Sequence, residues 1–102
     1  MRAALTFTLD LEDHREHRAA PARYPAITRE LLPWLAELKV RGTFFVVGEV
    51  AAAEPALIRE VAAAGHELAL HSWDHTPLTA ITPARFRDDT VRGRSVLEDL
   101  SG

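Results

Sequence analysis

Apolar and polar residues alternate from Ala4 to Leu9, with Leu5, Phe7 and Leu9 on one side and Thr6 and Thr8 on the other. A period of two predicts a half-buried strand, ended by Asp10. His14 to Pro25 is polar, carries Pro21 and Pro25, and predicts a loop. The period then changes. Ile27, Leu31, Leu32, Trp34, Leu35 and Leu38 recur at helical spacing, which predicts a helix over Ile27 to Val40 with a wide apolar stripe and Trp34 in the core. Pro33 should kink that helix or cost it one backbone bond, and Gly42 ends the segment. Thr43 to Val47 is a continuous apolar run closed by Gly48. Continuous apolarity suggests a strand covered on both faces, as in a parallel sheet.

Pro55 suits the first position of a second helix, on which Leu57, Ile58, Val61 and Ala62 share a face and Gly65 serves as the C-cap. Glu67 to Leu70 is a third short strand that runs into His71. Thr82 and Pro83 open a last helix as N-cap and first residue, with Phe86, Thr90, Leu97 and Leu100 on its inner face. Strand and helix thus alternate three times. This order predicts the α/β class: a parallel βαβαβα unit with right-handed crossovers. The chain has no internal repeat and no low-complexity tract.

Composition narrows the function. The 102 residues fit one domain, 1–102, and 47% of them are apolar, enough for a modest core. A net charge of −3, from 12 basic and 15 acidic residues, gives no basic field for nucleic acid and no polybasic anchor for anionic lipid. With no cysteine, any metal must be held by His, Asp or Glu. No apolar stretch approaches the roughly 20 residues of a membrane span. The start, Met1 to Phe7, runs into acid at Asp10 too soon for a secretory signal, so the expectation is a soluble, cytoplasmic chain.

In parallel α/β folds functional residues gather beyond the carboxyl ends of the strands. Asp10, Glu12 and Asp13 follow the first predicted strand, Gly48 and Glu49 the second, and His71-Ser72-Trp73-Asp74-His75 the third. If the strands are neighbours, two imidazoles and one or two carboxylates meet on one rim, as in a metal site of the open, catalytic type. The plainer alternatives are a solvated acidic turn and two unrelated histidines. Trp73 suits either a sugar-binding floor or packing between two rim residues. Ser72 has no base and orienting group to make it a nucleophile, and there is no glycine-rich phosphate loop. His66 opens the third strand, while His14 and His17 sit in the polar loop.

Leu5-Thr6-Phe7-Thr8-Leu9-Asp10, Arg41-Gly42-Thr43-Phe44-Phe45-Val46-Val47-Gly48, Gly65-His66-Glu67-Leu68-Ala69 and His71-Ser72-Trp73-Asp74-His75 follow one another in an order that resembles the polysaccharide deacetylases, the nodulation-protein-B homology domain of carbohydrate esterase family four. The resemblance covers nearly the whole chain. It implies the first half of a distorted (β/α) barrel with a divalent metal, usually zinc. By that resemblance His71 and His75 are the imidazole ligands and Asp10 is the general base. Where the common pattern has two adjacent aspartates, this chain has Asp10-Leu11-Glu12-Asp13, a form similar to a subgroup associated with exopolysaccharide synthesis. Asp13 is expected as the carboxylate ligand, with Glu12 as the alternative.

The implied reaction removes acetate from an N-acetylated polysaccharide or amino sugar, with chitin-like, peptidoglycan and exopolysaccharide substrates all open. Family members continue with an arginine-bearing segment and a late histidine that acts as general acid, and neither has a match here. The expectation is therefore a metal-binding half-domain, weakly active or inactive alone, that self-associates or pairs with a complementary half; the alternatives are a non-catalytic metal- or carbohydrate-binding half-domain and a structural half-barrel that self-associates.

Overall fold

The computed structural model describes residues 3–102; Met1 and Arg2, the first two positions of the expected domain, lie outside the described residues. The elements in chain order are β1 (Thr8–Leu11), α1 (Tyr24–Glu37), β2 (Thr43–Val46), α2 (Gly48–Ala53), α3 (Pro55–Ala63), β3 (Glu67–Leu70), a short 3-10 turn (Leu78–Ala80) and α4 (Pro83–Ser101). The three strands form one parallel sheet in the order β1-β2-β3. The alternation of strands and helices therefore gives the expected α/β architecture.

Register fixes which side chains share a face. Thr8, Thr43 and Glu67 are level, then Leu9, Phe44 and Leu68, then Asp10, Phe45 and Ala69, then Leu11, Val46 and Leu70. Successive strand residues point to opposite faces. The second and fourth rows pack into the core with Leu35, Leu57, Ile58, Val61 and Leu97 from the helices. The first and third rows occupy the other face, where the Thr43 hydroxyl donates to Glu67 Oε1 at 2.8 Å. Phe45 on that face is half-buried, whereas Phe44 and Val46 are fully buried. The unbroken apolarity of Thr43 to Val47 had suggested equal cover on both faces.

Several boundaries and core positions differ from expectation. β1 is shifted toward the carboxyl side and takes in Asp10 and Leu11, although the Phe7 carbonyl already accepts from the Thr43 N–H at 3.1 Å. α1 starts at Tyr24, inside the expected loop, because Pro25 is preset for a first helical turn. The same helix runs through Pro33 and ends at Glu37, with Lys39 just beyond it in the left-handed region at φ 54°, rather than at Gly42. Trp34 is 53% exposed and Phe86 50% exposed, so neither is core. Leu35 and Thr28 take the buried side of α1, and a three-stranded sheet covers only part of so wide an apolar arc. The caps of the later helices follow expectation: Gly65 has φ 92° after α3, and Thr82 accepts from the Arg85 N–H at 3.1 Å at the start of α4.

Candidate metal centre

The carboxyl ends of the three strands lie on one rim, and the alternation of β1 decides what that rim receives. Asp10 and Glu12 are two apart and share the face opposite Leu11. His71, one step beyond Leu70, falls on that face too, and its N–H donates to the Val46 carbonyl at 2.8 Å, which continues the ladder past β3. Glu12 and His71 thus emerge side by side. Glu12 Oε1 lies 3.1 Å from His71 Nε2, and Asp10 Oδ2 lies 3.9 Å from the same nitrogen.

His75 arrives by a different route. The backbone turns at Ser72 (φ 58°) and again at His75 (φ 63°), both in the left-handed region. Ser72 Oγ accepts from the His75 N–H at 2.8 Å and closes the turn. This brings the His75 ring to 4.8 Å from the His71 ring, centroid to centroid, and its Nε2 to 3.8 Å from Glu12 Oε2. Glu12, His71 and His75 each offer one ligand atom, and these atoms lie within 4.8 Å of one another.

Asp13 goes elsewhere. Its carboxylate accepts from the Arg15 backbone N–H (3.1 Å), from Arg15 Nε (3.0 Å) and from Arg18 (2.8 Å), with Arg15 also at 2.6 Å. The hydrogen bonds from Arg15 hold the Asp13 carboxyl at about 2, below its usual 3.8. Asp13 was the expected ligand and Glu12 the alternative; the structure brings Glu12, and not Asp13, beside His71 and His75. The reason is strand parity, which sends residues 10 and 12 to one face and 11 and 13 to the other. A strict count by two from Leu5 to Asp13 was the signal that could have shown it.

The donor set suits a divalent cation. His71 Nε2 is buried and makes no hydrogen bond among the described residues. A buried, unpaired imidazole nitrogen is costly, and this one faces a carboxylate beside a second imidazole. Two nitrogens and a carboxylate this close together could hold one divalent cation and leave positions for water. Asp10 is more than half exposed at the edge of the group. His14 adds an exposed imidazole 3.5 Å from Glu12 Oε2, whereas His17 stays in the polar loop.

The remaining rim residues are structural. Trp73 is buried and its ring covers Gly48, where a Cβ would collide with the indole. It packs rather than floors an open surface. The Asp74 carboxylate accepts from the Thr76 hydroxyl (2.7 Å) and N–H (3.1 Å) and from Arg85 (2.7 Å), and the Thr76 bonds lead in lowering its carboxyl below the usual range. His66 is buried at the foot of β3, with Nδ1 accepting from the Gly42 N–H at 2.9 Å.

The sequence profile of the polysaccharide deacetylase family matches residues 4–102. A chitooligosaccharide deacetylase of Bradyrhizobium sp. (strain ANU 289) is 39% identical over 67 residues, 66% of this chain and 31% of that protein. Another chitooligosaccharide deacetylase, from Sinorhizobium fredii, is 48% identical over 56 residues, 55% of this chain and 26% of that protein. The structure of a family 4 carbohydrate esterase from Bacillus anthracis superposes on 95% of this chain and 42% of its own, at 26% identity and a TM-score of 0.77. The chain spans less than half the length of each of these relatives. The profile match over nearly every residue, together with the (β/α) frame and the rim it builds, shows that this chain belongs to the polysaccharide deacetylase family.

Proposed function

We propose that these residues form the metal-holding part of a hydrolase that removes the N-acetyl group from a polysaccharide or amino sugar. The observation that carries the reading is the convergence of Glu12, His71 and His75 beside Asp10 on the carboxyl rim of the sheet. Glu12, His71 and His75 would hold a divalent cation, for which zinc suits a two-imidazole, one-carboxylate set. Bound there, the cation supplies Lewis acidity toward an amide carbonyl and acidifies water. Asp10 accepts the proton as water adds to that carbonyl. The C–N bond then breaks, the departing nitrogen takes up the proton that Asp10 received from water, and acetic acid, ionised to acetate, and a free amine result. Names of relatives that act on chitooligosaccharides support an N-acetylglucosamine oligomer as the first substrate to try.

The test is metal uptake together with turnover. One equivalent of zinc is expected in the wild-type chain, with binding lost in Glu12→Ala, His71→Ala and His75→Ala. Acetate release from a chito-oligosaccharide is expected to be weak for these residues alone and abolished in Asp10→Asn, which keeps its metal. A chain that takes up no zinc, or whose uptake ignores His71, overturns the reading.

A further inference from the structure

His71 continues a strand, but His75 depends on the loop that returns it to the site. That loop holds two residues other than glycine in the left-handed region, at Ser72 and His75. Such conformations persist only where the surroundings over-determine them. Part of the restraint is local: the Gly48 N–H donates to the Ser72 carbonyl and the Glu49 N–H to the Trp73 carbonyl, both at 2.9 Å. The rest comes from α4, which contributes no ligand. Arg92 places its guanidinium carbon 3.8 Å from the centroid of the Trp73 ring, the same ring that packs against Gly48. Arg85 donates to the Asp74 carboxylate at 2.7 Å. These two arginines are seven residues apart, so they lie on one face of α4, two turns from each other. Between them they grip two consecutive residues of the segment that separates the two imidazoles.

We propose that Arg85 and Arg92 are positioning residues: they hold the His71–His75 loop in the conformation that turns His75 over His71, and so set the affinity of the site for a divalent cation. The inference rests on the metal reading above. It also separates from ordinary stabilisation. Both side chains of the Arg85–Asp74 pair are partly exposed, and such pairs add little to global stability. An effect on the metal without an effect on the metal-free fold is therefore the signature.

The experiment uses the full chain and zinc itself, titrated against a chromophoric chelator, with cobalt(II) absorption as a report on ligand geometry. Arg85→Ala and Arg92→Ala should each weaken zinc binding about three- to tenfold, at or below the roughly tenfold lower limit for partners that hydrogen-bond a metal ligand directly, because these arginines act through the loop. Cobalt absorption should change, and the metal-free melting temperature should stay within about 2 °C of wild type. Arg92→Lys should restore affinity, because an ammonium can also sit over the indole. Unchanged zinc affinity in both alanine variants overturns the inference while leaving the metal reading intact. So does a metal-free melt that falls in step with the affinity, since that marks a merely structural role. If the wild-type chain takes up no zinc, or His71→Ala takes it up equally well, the metal reading fails and this inference fails with it.

Discussion

Asp13 receives two hydrogen bonds from Arg15 for each oxygen it could have offered a metal, and that choice has a pH consequence. Its carboxyl lies at about 2 in the folded chain against 3.8 ordinarily, chiefly through the Arg15 hydrogen bonds. A carboxyl depressed on folding stabilises fully above its unfolded value, and the contribution disappears as pH falls through the folded one. The relevant window therefore runs from about 3.8 down to about 2. Asp13→Asn should remove that part of the acid sensitivity, seen as a flatter dependence of unfolding free energy on pH below 4, and should lower stability at neutral pH by up to about 1 kcal/mol, since Arg18 is largely exposed and screened. It should keep its zinc, unlike Glu12→Ala. Equal zinc loss in both variants would show that Asp13 is a ligand after all. His66 titrates in the same sense but higher: burial pushes its imidazole below 6.5, so its contribution is complete above 6.5 and fades below.

At the scale of elements, the closest fit is between the start of α2 and the histidine loop. Gly48 is buried, and a methyl group there meets the six-membered ring of Trp73, a rigid neighbour that is itself buried and also in contact with Arg92. Overpacking of this kind costs about 1–3 kcal/mol, and at a helix start little helical propensity returns to offset it. Gly48→Ala should lower the denaturation midpoint with an unchanged slope and weaken zinc binding in the same variant, because the displaced indole lies between the two imidazoles in sequence.

Sequence periodicity foretold the three strands, their parallel order and the two best-capped helix ends, since each rests on a local rule. It also brought the His71–His75 segment and the acidic cluster to one rim. The α2 helix was not foreseen, because six residues following a strand leave too short a pattern to read. Trp34 and Phe86 were misplaced because spacing reveals an apolar arc but not how much of it the sheet can cover. That Glu12 rather than Asp13 lies beside the histidines was legible in principle, but it required the strand to run two residues past its apparent end.

The whole molecule leaves apolar surface and strand edges without cover among the described residues. β1 pairs only with β2, and β3 only with β2, so each presents one unpaired edge. Beside the β1 edge runs a groove of about 600 Å³, lined by Leu9, Tyr24, Ile27 and the loop before α1. Ile27, Trp34 and Leu38 are each more than half exposed and fall on one stripe of α1, at spacings of seven and four. Unpaired edges and contiguous apolar patches favour association. The far face of the sheet offers no such route to a second copy: its register rows carry Asp10 and Glu67, with Glu12 just beyond, and no Lys or Arg among them. Two copies stacked face to face would oppose like charges. Association should therefore run through the α1 stripe and the β1 edge rather than across the candidate metal site. These residues alone should form larger species as concentration rises from about 1 μM to about 1 mM, as read by light scattering or sedimentation. Chelator should leave that behaviour unchanged, whereas Trp34→Glu should suppress it. A monomer throughout that range removes the idea. Chelator-sensitive association would move the contact to the rim, where Glu12, His71 and His75 from two copies would have to share a cation.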